Sequence, residues 1–300
     1  MKKIFKWIAI VIGSLVAVVA VAAIGLSFSA NARLNKTYTV QPAPLDIPVE
    51  AAAIERGAYI YSTTCAGCHG DNLAGTPFFN DPALGSIPAP NLTAGAGGIG
   101  DVFSDTDWVR AIRHGIDPQG KPLMVMPSLA FWHFSDQDLG AVIAYVKSAT
   151  PVDNNLGQKA LKPVGRILLA TGALGDVLAA EALDHNAPRP STPPQAVTAD
   201  YGQYLVDTLD CRSCHAANLA GGQSTEPGAP PSPDLTPAGT LSIWSSTDFI
   251  QTMRTGITPY SRQLDPAFMP YEEYSRLTDE DLTAIFLYLQ SLPVTETGGK

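Results

Sequence analysis

Cys65-Ala66-Gly67-Cys68-His69 and Cys211-Arg212-Ser213-Cys214-His215 are the two stretches from which the rest of the chain is read. Each puts two thiols on one helical turn, with an imidazole directly after the second. Cys-x-x-Cys-His is the attachment signature of c-type haem. The thiols reach the two vinyl groups of one porphyrin as thioethers, and the adjacent histidine becomes the proximal iron ligand. A thioredoxin-like dithiol needs no histidine at that place, and zinc would require four ligands gathered from distant segments. All four cysteines lie in these motifs, so none remains for a disulfide. Two covalently bound haem c groups are therefore expected, on Cys65, Cys68 and His69 and on Cys211, Cys214 and His215.

Outward from the motifs the chain repeats itself, a pattern to be sought first in a chain of this length. Gly57-Ala58-Tyr59 precedes the first motif as Gly202-Gln203-Tyr204 precedes the second. Pro90-Asn91-Leu92-Thr93 answers to Pro233-Asp234-Leu235-Thr236, and Asp107-Trp108-Val109 to Asp248-Phe249-Ile250. Ser135-Asp136-Gln137-Asp138 and Thr278-Asp279-Glu280-Asp281 each offer a hydroxyl N-cap with an acidic residue three places on. Behind them Leu139, Val142, Ile143 and Val146, and Leu282, Ile285, Phe286 and Leu289, recur at i, i+3, i+4, i+7. The expected fold is all-α: two small helical domains, over residues 53–150 and 200–293, with glycine-proline loops and almost no strand signal. Gly95-Ala96-Gly97-Gly98-Ile99-Gly100 matches a dinucleotide-binding pattern, but no strand precedes it, so it reads as a loop.

With a histidine below each iron, the chemistry turns on the ligand above. A methionine completes the coordination sphere and raises the potential; an open position suggests catalysis. Past the initiator there are Met124, Met126, Met253 and Met269. Met126-Pro127 and Met269-Pro270 stand at matched distances before Ser135 and Thr278, which selects Met126 and Met269 as metal ligands. Met253 falls inside a helix as core packing, and Met124 is out of register with the second copy. His114 and His133 have no counterparts and read as solvent-facing. Arg113 and Arg254 do match. They are candidates for pairing with haem propionates, a solvated helix face being the alternative. Trp108 and Phe249, and Tyr59 and Tyr204, read as core aromatics near the porphyrin edge.

The chain opens Met-Lys-Lys-Ile-Phe-Lys and continues as an uncharged apolar run from Trp7 to about Phe28, long enough to cross a bilayer. The lysines place the start in the cytoplasm and the remainder outside. Residues 1–34 are read as a retained single-pass anchor in the inner membrane with the haem domains on the periplasmic side; a leader cleaved after Ala30-Asn31-Ala32 is the alternative. Residues 35–52 read as an extended tether, 151–199 as a linker with a helix starting at Pro163 and packing across both domains, and 294–300 as a tail. A membrane-surface placement of that helix is a second possibility. The formal net charge of −9 argues against nucleic acid. Asp265, Glu272, Glu273, Asp279, Glu280 and Asp281 crowd around Met269, an acidic face that would steer a basic partner.

Taken with the two motifs, the paired Met-Pro dipeptides and the closing helices, residues 53–293 resemble the two-domain class I cytochromes c of bacteria. That group includes cytochrome subunits of membrane-bound alcohol, aldehyde and sugar dehydrogenases. The resemblance implies all-α domains with each haem in a crevice, and a chain that relays electrons from a membrane or periplasmic donor, such as a dehydrogenase or respiratory complex, to an acceptor cytochrome or oxidase. Such dehydrogenase subunits often carry three haems, whereas this chain has two motifs. A dihaem enzyme, such as a peroxidase or thiosulfate-oxidising cytochrome, is the competing reading and would require an open or unusual ligand at one iron.

Overall fold

Lys2–Leu34 form one uninterrupted helix, α1, whose apolar side chains from Ile4 to Phe28 are largely exposed. The computed structural model describes residues 2–223 and 228–294, so the expected tail lies outside the described residues apart from Val294. The first domain contains α2 (Ala51–Thr64), α3 (Ala66–His69), β1 (Thr76–Asp81), β2 (Gly85–Ala89), α4 (Asp105–His114), α5 (Ser128–Phe131) and α6 (Asp136–Ser148). After it come β3 (Ala160–Leu161), α7 (Pro163–Thr171) and α8 (Ala179–Ala182). The second domain has α9 (Ala199–Thr208), α10 (Cys211–His215), α11 (Ser246–Thr255), α12 (Tyr271–Tyr274) and α13 (Asp279–Ser291).

Each domain is built on a helix crossing so close that only glycine fits. A Cβ on Gly57 of α2 would sit 2.0 Å from the Ala141 carbonyl oxygen of α6. A Cβ on Gly202 of α9 would sit 1.9 Å from the Ala284 carbonyl oxygen of α13. This accounts for the glycines of the repeat. Around the crossings lie two apolar cores, Ile60, Trp108, Phe131, Leu139 and Ile143 in the first and Leu205, Phe249, Met253, Leu282 and Leu289 in the second.

The fold is mostly helical, as expected, with a small sheet added to the helices. β1 pairs antiparallel with β2, and β2 antiparallel with β3. The Asp81 carboxylate accepts from the Ala83 and Leu84 amides at 2.7 and 2.8 Å, closing the turn between β1 and β2. Pro77 and Pro88 hide this hairpin from a propensity reading, since proline withholds a ladder N–H. The structure places Pro77 where the register slips between Thr76 and Phe79.

The tether and the linker pack on the first domain. Leu45 and Ile47 rest on its core, and the Tyr38 amide donates to the Gly120 carbonyl at 2.8 Å. In the linker, the Val152 carbonyl accepts from the Asn91 amide group at 2.7 Å, β3 extends the sheet, and α8 lies against α5. The helix expected to bridge both domains, α7, instead packs on α1. His114, expected at the surface, is 4% exposed, with its Nδ1 3.1 Å from Nδ1 of the linker residue His185.

Where the domains meet, the repeat becomes a reciprocal contact. In α4 and α11 the cap serine and the aspartate three places on close a box on each other: Ser104 with Asp107, Ser245 with Asp248. In α6 and α13 a tyrosine hydroxyl from the other domain is inserted into that box. Tyr204 accepts from the Ser135 amide at 3.3 Å and donates to Asp138 at 2.6 Å. Tyr59 accepts from the Thr278 amide at 3.0 Å and donates to Asp281 at 2.6 Å. Arg56 completes the seam with two 2.9 Å bonds to Asp138 and one of 3.2 Å to the Tyr201 hydroxyl. Tyr59 and Tyr204 are thus interdomain ties and not porphyrin-edge packing.

Replacing Tyr59 or Tyr204 by Phe leaves a buried carboxylate and a cap amide short of a partner. Each is expected to cost about 1–3 kcal/mol, read as a lower thermal midpoint and faster proteolysis between the domains. The histidine pair makes a second prediction. Burial, with His185, Arg113 and Arg110 adding like charge, lowers His114 to about 4. The fold therefore holds it neutral; that contribution is whole above the ordinary value near 6.5 and is lost as pH falls toward about 4. Protonating both rings sets two N–H donors face to face. Stability should drop by on the order of 2 kcal/mol between pH 7 and 4.5, and His114→Phe should lose less over the same interval in parallel melts.

Candidate haem sites

Each motif sits at the C-terminal end of its domain's first long helix. The Cys65 and His69 amides donate to the Tyr61 and Cys65 carbonyls, both at 2.9 Å, so Cys65 and Cys68 share one turn. Gly70, at φ 75°, ends that turn, and the Tyr61 hydroxyl donates to the Gly70 carbonyl at 2.6 Å. In the second domain Ala216 takes the same left-handed conformation, φ 66°, after His215. The chain then doubles back. The Gly75 amide donates to the His69 carbonyl at 2.9 Å, and the Gly221 amide to the His215 carbonyl at 3.0 Å.

This return brings the Pro-Asx-Leu-Thr repeat under the histidines. The His69 Nδ1 lies 2.9 Å from the Pro90 carbonyl oxygen, and the His215 Nδ1 lies 3.0 Å from that of Pro233. A carbonyl can only accept, so each Nδ1 carries the hydrogen and each Nε2 keeps its lone pair. Burial lowers both imidazoles against the opposing pull of those carbonyls, which holds them neutral. The carbonyls are themselves fixed by the next residue: Asn91 accepts from the Thr93 amide at 2.9 Å, and Asp234 from the Thr236 amide at 2.7 Å. An oriented, neutral imidazole with a free Nε2 is what an iron ligand requires.

A cavity of about 350 Å³ opens beside the first motif. Cys65, Cys68, His69 and Met126 all line it, with Ile87 and Pro88 of the hairpin and Gly157 and Lys159 of the linker forming part of the wall. Burial pushes the thiols up, Cys65 to about 11 and Cys211 to about 12. A reactive dithiol needs the opposite shift, whereas an apolar slot suits a porphyrin. Trp108 also lines the cavity, and its indole N–H is buried without an acceptor, a donor suited to a carboxylate on the bound group.

The structure separates the methionines. Met126 packs against the first domain's core and Met269 against the second's, each with its motif's first cysteine. Met253 is buried in the second core on α11. Met124 also reaches the cavity, but it packs with Ala30, Leu169 and Leu178, away from the domain core. Neither His114 nor His133 lines the cavity.

Arg113 does not line the cavity of the first domain, and both arginines bond within their own domains. Arg113, 5% exposed, donates to the Phe134 carbonyl at 3.2 Å and to Asp136 at 2.8 Å. Arg254 donates to the Ser275 carbonyl and, at 2.6 Å, to Asp279. Both guanidiniums tie the middle helix to the start of the closing helix, which is a folding role for their match in the repeat; Arg113 Nε is buried without a partner.

The acidic cluster around Met269 is likewise partly consumed. Asp279 holds Arg254, Asp281 holds Tyr59, and the Glu273 carboxylate lies over Gly67 in the first motif. Asp265, Glu272 and Glu280 remain exposed. α12 therefore stands between the two motifs. The Cys68 thiol is pushed up by burial and by Glu273, while the next residue, Tyr274, packs on the second core beside Cys211 and donates to the Leu209 carbonyl at 3.1 Å. Sequence reasoning missed this junction because it depends on how two copies dock; the matched tyrosines were its only trace.

A cytochrome c family model matches residues 54–150 and 199–293. The fructose dehydrogenase cytochrome subunit of Gluconobacter japonicus is 28% identical over 279 residues, covering 86% of this chain and 56% of that one. The cytochrome c subunit of the quinone alcohol dehydrogenase of Gluconacetobacter polyoxogenes is 27% identical over 272 residues, covering 81% and 57%. A diheme cytochrome c-type protein of Cereibacter sphaeroides is 27% identical over 230 residues, covering 71% and 74%. The chain thus spans little more than half the length of the two dehydrogenase subunits. With two domains matched and one attachment motif in each, the cofactors are two covalently bound haem c groups, and the chain belongs to the cytochrome c family.

Proposed function

We propose that this chain is a membrane-anchored dihaem relay that takes electrons from a dehydrogenase or respiratory complex and passes them to an acceptor cytochrome or oxidase. Bound haem supplies a one-electron iron couple. The protein's own residues would do the rest: Cys65 and Cys68, and Cys211 and Cys214, would attach the groups, and His69 and His215 through Nε2, with Met126 and Met269, would hold the irons. The observation that carries this reading is the cavity that has His69 and Met126 in one lining, together with the matched placement of Met269 against the second core. A filled coordination sphere in an apolar crevice suits a carrier, since it leaves no site for substrate.

The docking of the domains supports transfer between the two groups. Glu273 lies over the first motif and Tyr274 beside the second, so a single turn of helix separates the attachment sites. We assign the anchor to α1, with both domains on the periplasmic side of the inner membrane. The donor is read by analogy with the dehydrogenase subunits, and the exposed acidic residues Asp265, Glu272 and Glu280 favour a basic acceptor at the second domain.

Met126→Ala and Met269→Ala test the assignment one domain at a time. Each variant should lose the methionine-to-ferric-iron band of its own haem, gain a high-spin fraction and lower that haem's potential. The unmodified protein should be low-spin at both. If both variants keep low-spin spectra and unchanged potentials, Met126 and Met269 are not the ligands. A high-spin haem in the unmodified protein would favour the enzyme reading.

A further inference from the structure

α7 is apolar apart from Arg166 and, at its C-terminal end, Thr171, yet it belongs to neither domain core. Its inner face carries Gly165 and Leu169, both buried: Gly165 presses on the Leu84 carbonyl, and Leu169 packs beside Ala30 of α1. Its other face carries Val164, Ile167 and Leu168 at i, i+3, i+4, with Val164 46% exposed and Ile167 and Leu168 half-buried outside any core cluster. Its single charge, Arg166, keeps Nε on the Leu161 carbonyl at 3.0 Å, near the start of the helix. A helix without a polar face is stable inside a core or in lipid.

Its position says which. α7 packs along the C-terminal part of α1, where Ala30 is fully buried and Ala23, Leu26 and Ser27 mark one less exposed face. The Arg33 guanidinium donates to the Leu169 carbonyl and pairs with Glu181 of α8 at 2.6 Å. The apolar run of α1 ends near Phe28, and a run of that length fills the ~30 Å hydrocarbon layer. α7 therefore lies at the depth where that layer gives way to headgroups. Lys162 at its start and Arg166 one turn on put basic groups at that same level, where anionic headgroups would meet them.

We propose that α7 is an interfacial helix, seated beside α1 in the outer leaflet with Val164, Ile167 and Leu168 in the lipid. The proposal rests on α1 being a retained membrane anchor. It gives the first domain a second hold on the membrane. Through β3, which leads directly into α7, it also fixes the wall of the first haem cavity to the bilayer surface.

The test uses the full-length holoprotein in phosphatidylcholine–phosphatidylglycerol vesicles. Its four motif cysteines are thioethers, so Val164→Cys and Val18→Cys each add one site for an environment-sensitive fluorophore. The label at 164 should lose fluorescence to lipids spin-labelled near the headgroup, and the label at 18 to lipids spin-labelled deep in the chain. A label at 164 that no lipid quenches, with the label at 18 quenched deep, overturns the proposal and leaves the anchor standing. Two unquenched labels overturn both. Carbene photolabelling of the unsubstituted protein from the lipid phase, read by mass spectrometry, covers perturbation by the label. Modification within residues 163–171 is expected. Its absence alongside modification of α1, or its appearance only after a copurifying subunit is stripped away, would assign the face to protein.

Discussion

Two glycines with no room for a methyl group set the geometry of everything else. Because Gly57 and Gly202 let the first and closing helices touch at their backbones, the next turns of α2 and α9 are fixed relative to the caps of α6 and α13. Tyr59 and Tyr204 lie two residues beyond those glycines and project toward the neighbouring domain. The haem motifs lie one turn or two further along the same helices. Thus one close packing contact per domain positions both the site and the surface that joins the sites.

The joint is polar, buried and reciprocal. Each tyrosine hydroxyl stands where a cap amide and an aspartate would otherwise satisfy each other, as they do in α4 and α11. Docking therefore exchanges an internal hydrogen bond for two across the seam, and separating the domains leaves each box able to close on itself. Such an interface has little net energy of its own but a strict register, since a half-satisfied buried network is costly. Asp281 bears this out: burial raises its carboxyl against the opposing pull of Tyr59 and Arg56. Strict register is the property a relay needs, because the separation of two redox centres has to be held.

Much of this was legible in the residues. Cys-x-x-Cys-His fixes its own chemistry, and the matched Met-Pro dipeptides single out the methionines that lie with the motif cysteines. The repeat also marked Gly57, Tyr59, Pro90 and Arg113 with their partners, but repetition shows only that a residue matters twice. It cannot distinguish a helix crossing from a porphyrin contact or a cap tie, and Tyr59 was read toward the haem for that reason. The hairpin escaped because Pro77 and Pro88 sit at a slipped register, where propensity argues against a strand. The linker escaped because its contacts are to backbone carbonyls, as at Val152, and such bonds leave no pattern in side chains.

The departures from the repeat are as telling as the matches. Asn91 becomes Asp234, and the carboxamide nitrogen that holds the linker at Val152 is replaced by an oxygen that is buried without a partner. The first domain has a linker to hold there, and the second domain has no Asn at the matching place. Similarly, Lys159 and Gly157 wall the first cavity from the linker side, and His185 and Arg189 press against α4 and α5 from the same direction. The linker is therefore a third layer around the first domain, continuous through α7 with the membrane-proximal helix. Among the described residues the duplicated fold is thus unequal: the first motif lines a cavity walled by the hairpin and the linker, with Glu273 of the second domain over Gly67, while Cys214 of the second motif is exposed.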